Sequence, residues 1–119
     1  MTPTLIWTFL KECDVPEDIF EFLNPDEFPR CAFKTIRDTA IFTNKRIIVK
    51  DLQGVSGKKV KIYSLPYTSI KMYSTENVGR IFDATSEVEL WTLIGYIKIN
   101  LGADVNIREF DKIISDAIL

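Results

Sequence analysis

The chain contains no histidine. That removes the side chain most often used as an acid or base near neutral pH and as a metal ligand, so most hydrolytic and metal-centred readings lose their first residue. Cysteine is scarce as well. Cys13 and Cys31 are the only two in 119 residues, and the N-terminus lacks the basic region and continuous apolar run of a signal peptide, so reduced thiols in a cytoplasmic protein are expected. No apolar run approaches the ~20 residues that a spanning helix needs, which argues against integral membrane association. Charge of one sign is lacking too: 15 basic residues against 17 acidic give a net −2, so no global field exists to hold nucleic acid or an anionic surface. Only a local basic patch can do that, and no nucleic-acid partner is expected.

Cofactor and metal motifs are likewise absent. Gly54-x-x-Gly57 precedes a strand and lacks the following helix whose N-terminal amides would bind phosphate, so it is no phosphate loop. What remains is a chain of 46% hydrophobic residues, long enough to bury roughly two-thirds of its unfolded surface without staples. The expected organisation is one domain over residues 1–119: an N-terminal helical segment at 1–27, a seven-stranded core at 28–104 and a C-terminal capping helix at 105–119.

Leu5, Ile6, Phe9 and Leu10 recur at i, i+1, i+4 and i+5 behind Thr2 and Pro3, which predicts a helix over residues 2–12. After the break at Asp14-Val15-Pro16, a second short helix is expected from Pro16 to Leu23, with Ile19, Phe20 and Leu23 inward. From Arg30 the period changes to two. Cys31 to Arg37, Thr39 to Thr43, Arg46 to Asp51, Lys58 to Leu65, Ile70 to Thr75, Ser86 to Leu93 and Tyr96 to Leu101 read as seven strands of an antiparallel sandwich or barrel. Asn44 and Lys45 make the tightest hairpin connection, Asn tolerating the positive φ such turns need. Gly95 marks the last turn, and Thr75 to Thr85 is the longest irregular piece. The last segment returns to helical spacing, with Asn106 and Glu109 placed for a capping box and Ile107, Phe110, Ile113, Ile114, Ala117 and Ile118 forming an apolar face. The expected core is Ala32, Phe42, Val49, Val60, Ile62, Ile70, Val88, Leu90, Ile97, Ile99, Leu101, Ile107, Phe110 and Ile114.

Seven strands followed by one capping helix resemble the pleckstrin-homology superfold. The stretches Ala32 to Asp38, Phe42 to Arg46, Gly54 to Val60 and Leu65 to Ile70, with Phe82-Asp83 and Leu90-Trp91, are similar to the bacterial pleckstrin-homology-like family. The resemblance implies a mainly β PH-like fold with flanking helices and a non-enzymatic cytoplasmic domain, with members that assemble into symmetric rings. It also implies an alternative, because phosphoinositide-binding relatives of the superfold hold phosphates with basic residues on the first two strands and the loop between them. Here that loop has shrunk to a turn at Arg37 and Asp38, leaving Lys34, Arg37, Lys45 and Arg46 at different hairpin ends.

Two further sets stand out. Lys58, Lys59 and Lys61 follow a glycine-bearing loop and offer a local anion patch, or a charged edge that discourages strand pairing. If Val88 and Leu90 point inward, Glu87, Glu89 and Trp91 point outward, beside Tyr96 and Lys98 on the next strand. An outward indole suggests a homo-oligomer interface; the competing expectation puts Trp91 under the N-terminal helices against Leu5 or Phe9. Glu87 and Glu89 share a face, yet nothing in the sequence separates their pKa values as catalysis would require.

Overall fold

The computed structural model describes residues 2–53, 59–77 and 86–119. Eight strands form one sheet: β1 (Leu5–Cys13), β2 (Pro29–Thr35), β3 (Thr39–Thr43), β4 (Arg46–Gln53), β5 (Lys59–Pro66), β6 (Ile70–Asn77), β7 (Ser86–Thr92) and β8 (Gly95–Leu101), followed by helix α1 (Ile107–Ile118). Their spatial order is β5-β4-β3-β2-β1-β8-β7-β6. The expected PH-like β fold with a C-terminal helix is present. Its strand count and its N-terminus differ from expectation.

Residues 5–13 form a strand, not a helix. β1 pairs antiparallel with β2 and parallel with β8, Leu5 opposite Ile97 and Phe9 opposite Leu101. Trp7 and Phe9 are buried while Ile6 and Leu10 are exposed, a period of two. The run Leu5 to Leu10 is apolar at nearly every position, so the helical and strand periods both fit it, and only the ladder partners decide. A register shift between Phe9 and Lys11 lets β1 bend. There Gly102 donates its amide to Phe9 O at 2.8 Å, and a Cβ on it would meet Leu10 O at 2.7 Å, which explains a glycine at this crossing. The second expected helix is a single 3-10 turn, Glu17–Glu21. Ile19 is buried as expected, whereas Phe20 is exposed.

The main core lies on the inner face of the bent sheet. Phe9, Phe33, Phe42 and Phe110, one each from β1, β2, β3 and α1, meet with all pairs of ring centroids between 5.4 and 6.2 Å. Most of these contacts are edge-to-face, the arrangement that ring quadrupoles favour. Asn106 Oδ1 accepts from the amides of Arg108 and Glu109 at 3.0 and 3.1 Å, capping α1 as its sequence suggests. The helix packs against β6 and the 3-10 turn Tyr67–Ser69. Most of the expected core is buried, Ile107 partly so, but Val60 and Ile62 are 47% and 37% exposed. They sit where β5 runs along an edge of the sheet, and none of the described residues forms a layer over them.

A second, smaller core covers the outer face of β2 to β4. Ile19 packs there on Ala32, Ile41 and Ile48, with Cys13, Val15 and Leu23 at its margin. Residues 14–28 thus form a strap across the back of the sheet. The hairpin at Asn44-Lys45 is present, but Asn44 does not use positive φ; its side chain is engaged by the strap. The Gly54–Gly57 loop, Lys58, Phe82-Asp83 and positions 78–85 of the expected irregular piece lie outside the described residues, while β6 runs on through Asn77.

Phe110→Ala should cost about 3–5 kcal/mol, the usual loss for a fully buried phenyl ring. A denaturant midpoint within error of the parent's would show that α1 does not close the core.

Candidate functional site

The outward set on the second half of the sheet is brought together by register. Met72, Trp91 and Tyr96 lie in one row, and Ser74, Glu89, Lys98 and Ile6 in the next. Trp91 stacks on Tyr96 with centroids 5.9 Å apart. Tyr96 is itself buried, unlike the exposed position expected of it. The competing expectation for Trp91 fails, because there is no N-terminal helix to lie under and Phe9 is wholly inside the core. Lys98 Nζ pairs with Glu87 Oε1 at 3.1 Å, and Ser74 Oγ donates to Glu89 Oε1 at 3.4 Å. Neither carboxylate is buried, so nothing here tunes a pair for acid–base work. Around the indole, Met72 is 55% exposed, Ile6 59%, and Leu93 and Ile94 in the β7–β8 turn 77% and 78%.

The cations do not assemble. Arg46 and Lys45 bind strap carboxylates, and Lys50 Nζ holds Asp18 Oδ2 at 3.0 Å. Lys59 and Lys61 are exposed on β5, and the Lys61 ammonium lies 5.0 Å from the centre of the Tyr63 ring. A cleft of about 240 Å³ opens between Ile6, Trp7 and Thr8 of β1, the turn Thr35-Ile36-Arg37, and Val49 to Asp51 of β4. Among the described residues that line it, Arg37 and Lys50 are the cations, and Asp51 supplies an opposite charge. Among the described residues no group of histidine, cysteine or carboxylate side chains is arranged to hold a metal ion, and no helix is long and apolar enough to cross a membrane.

A family model described as bacterial PH domain matches residues 4–118. The chain belongs to the bacterial PH domain family. It is similar to two uncharacterized proteins of Bacillus subtilis (strain 168): YjqA, 43% identical over 82 residues, and YozO, 30% identical over 83. These matches cover 69% and 70% of this chain, and 65% of YjqA and 71% of YozO, so under two-thirds of YjqA is spanned. Among solved structures, a DUF1696 family protein with a pleckstrin-homology domain from Shewanella loihica PV-4 superposes with a TM-score of 0.81 at 28% identity, covering 92% of this chain and 99% of that one. A pleckstrin homology domain from Shewanella amazonensis SB2B gives 0.70 at 33%, covering 86% and 83%.

In this bacterial PH domain the most elaborate polar site is structural. Glu27, with its carboxylate wholly out of solvent, receives Arg46 Nε on Oε2 at 2.9 Å and Arg46 Nη2 on Oε1 at 3.0 Å. Thr43 Oγ1 donates to Oε2 at 2.7 Å and the Asn24 amide to Oε1 at 3.2 Å. Arg46 also donates to Phe22 O at 2.8 Å and Ser64 Oγ at 3.0 Å. Asn44 completes the attachment, accepting from the Phe28 amide at 2.8 Å and donating to Asp26 O at 3.1 Å. In the sequence Lys45 and Arg46 stand only as basic residues at the hairpin end opposite Arg37; the Asp26-Glu27 pair is the signal there that points to their partners. Burial pushes the Glu27 pKa up, but the hydrogen bonds from Arg46, Thr43 and Asn24 outweigh it and hold the carboxyl below its ordinary value.

Cys13 and Cys31 are free. Cys13 faces Ala32 in the outer core and Cys31 borders the inner one, on opposite faces of the sheet, so they cannot pair within the chain. Burial, with Glu12 adding to it, pushes the Cys31 thiol up to about 11, away from thiolate chemistry.

Removing the Glu27 charge should destabilise the fold by about 3 kcal/mol at neutral pH, since Arg46 would lose its partner in a largely dry site. A depressed folded pKa gives stability that is full above the unfolded value and lost as pH falls through the folded one. The gap between parent and Glu27→Gln should therefore be widest at neutral pH and close as the pH is lowered from about 4.5. Urea melts at a series of pH values check this, and a gap that does not narrow in acid would refute the assignment.

Proposed function

We propose that this bacterial PH domain is a non-enzymatic, cytoplasmic interaction module that self-assembles into a homo-oligomer, with a ring as the form its family suggests, and serves as a scaffold for a protein partner. One observation carries the reading: Trp91 lies on an outward sheet face among exposed Met72, Ile6, Leu93 and Ile94. A monomer gains nothing from leaving such side chains in water, and clustered exposed apolar surface usually marks a contact site. Trp91, already held by stacking on Tyr96, loses little freedom on being covered. Glu87, Glu89 and Lys98 provide the polar margin common around interface centres.

Against catalysis stands the chemistry of the ionisable groups. The buried carboxylate is fully engaged by Arg46, Thr43 and Asn24. Tyr67, which donates to Thr43 O at 2.6 Å, and the Cys31 thiol are both pushed by burial toward their neutral forms.

The second reading, a lipid- or anion-headgroup binder, rests on Arg37 at the cleft and, separately, on Lys59 and Lys61 exposed on β5. It is the weaker one because Lys45, Arg46 and Lys50 are bound to carboxylates. Lys58, the third lysine of that patch, lies outside the described residues.

Trp91→Lys should dissociate the oligomer to a folded monomer, because single aromatics often carry a large share of interface energy. Light scattering beside a melting curve reads both quantities, and an oligomer of parental mass would sink the interface. Vesicles containing phosphoinositides should fail to retain the protein at physiological salt, where screening acts over ~8 Å. Saturable, headgroup-dependent sedimentation that is lost when Lys58, Lys59 and Lys61 are replaced together would instead establish the second reading.

A further inference from the structure

Among the described residues β5 is a terminal strand of the sheet, and one side of its backbone has no neighbouring strand there. The other terminal strand, β6, has α1 packed against it. Lys59, Val60, Lys61 and Ile62 are all exposed, which is unusual for four successive residues of one strand. Their side chains alternate. Lys59 and Lys61 share a face with Tyr63, which lies across from core residue Val49 and 6.2 Å from Trp7. Val60 and Ile62 share the other face with Ser64, across from Leu52 and Lys50. Phe22 stands near this second face, because Arg46 Nη2 binds its carbonyl while Nη1 binds the Ser64 hydroxyl. Phe22 is itself exposed.

Each face therefore asks for a different complement. Among the described residues neither lysine joins an ion pair: Lys59 lies opposite Gln53, and Lys61 lies opposite Asp51, whose carboxylate accepts from Gln53 Nε2 at 2.9 Å. The opposite face offers Val60, Ile62 and Phe22 to apolar groups. We propose that the β5 edge is a docking site for an extended acidic peptide segment of a partner protein, which adds a strand beside β5 with carboxylates toward Lys59 and Lys61 and apolar side chains toward Val60 and Ile62. Backbone hydrogen bonds along the edge supply sequence-independent affinity, and the alternation selects the partner.

The lysines also disfavour the β5 strand of a second copy as the occupant. Two β5 strands laid edge to edge would bring Lys59 and Lys61 of each close to those of the other, a repulsion that natural edges use to prevent self-pairing. An acidic strand turns the same charges into attraction, so one pair of residues both opposes β5–β5 pairing and accepts the partner. This edge and the Trp91 face are on different halves of the sheet, and the inference does not rest on self-assembly.

The test is an amide-resolved NMR titration of the whole protein with a capped eight-residue peptide alternating glutamate and valine. Two controls are needed: the peptide with lysine for glutamate, and one of unchanged composition with its glutamates and valines in separate blocks. Saturable shifts on Lys59 to Ser64 with the alternating acidic peptide, weakened about tenfold by Lys59→Glu with Lys61→Glu, are expected from cross-strand pair energies. Both substitutions are at exposed positions, and an unchanged spectrum of the free variant confirms its fold. Binding of the lysine peptide with equal affinity, equal binding of the block peptide, shifts centred on β6 or the 240 Å³ cleft, or no saturable shift would each overturn the proposal.

Discussion

Among the described strands β1 alone pairs to both halves of the sheet, antiparallel to β2 on one side and parallel to β8 on the other. Without its backbone, two pieces would remain: β2 to β5, linked by hairpin-type pairing, and the β6-β7-β8 meander. Each would expose a fresh edge of unpaired amides and carbonyls, and such groups are costly unless water or another strand satisfies them. β1 also places Trp7 and Phe9 where the two halves meet. Phe9 touches the rings of Phe33 and Phe42 from one half of the sheet and Phe110 from the helix. The hydrogen-bond ladder and the aromatic core are thus joined through a single nine-residue segment.

The chain that leaves β1 must cross to β2 before the hairpins begin, and the strap uses that crossing to cover the outer face. Its apolar contribution is small, centred on Ile19 against Ala32, Ile41 and Ile48. Polar contacts give it a unique position. A bidentate guanidinium–carboxylate pair fixes direction as well as distance, and Arg46 couples Glu27 to both Phe22 and Ser64. Because desolvating both charges offsets much of their attraction, the pair contributes more to defining where the strap lies than to net stability. It also changes the electrostatics of the surface. Cations that appear as a basic turn in the sequence are neutralised by the strap, which leaves the exposed β5 lysines as the more available positive charge.

How much of this was legible depends on whether a segment shows its period. Strands β7 and β8 alternate cleanly enough that Val88, Leu90, Ile97 and Ile99 could be assigned to the core from sequence, and they are buried; Phe42 is buried too, in β3, where both faces are covered. β1 hid its period because Ile6 and Leu10 are apolar on the exposed side. No local rule distinguishes an apolar residue that faces solvent from one that faces a core. β5 misled in the same direction: Val60 and Ile62 have strand-like spacing, but their burial would require a layer over an edge that the topology leaves uncovered. Asn44 was placed correctly at a turn for the wrong reason. Its amide serves two strap groups sixteen and eighteen residues earlier, a long-range role invisible to turn propensity.

The errors share a cause, and it bears on function. Ile6, Val60 and Ile62 are apolar residues on surfaces that a monomer does not cover; spacing alone places Ile6 on a helix and Val60 and Ile62 in the core. They divide into two regions. Ile6 lies beside Lys98 on the face that carries Trp91, whereas Val60 and Ile62 lie on the terminal strand of the other half. A contact made through the first region would be a face-to-face packing of side chains, and one made through the second would extend a backbone ladder. The two modes draw on different groups and different halves of the sheet, so occupying one need not block the other. β1 links the regions covalently and by hydrogen bonds while its own backbone is paired on both sides. A fold of this kind can join copies through one surface and hold a peptide along another without rearranging its core.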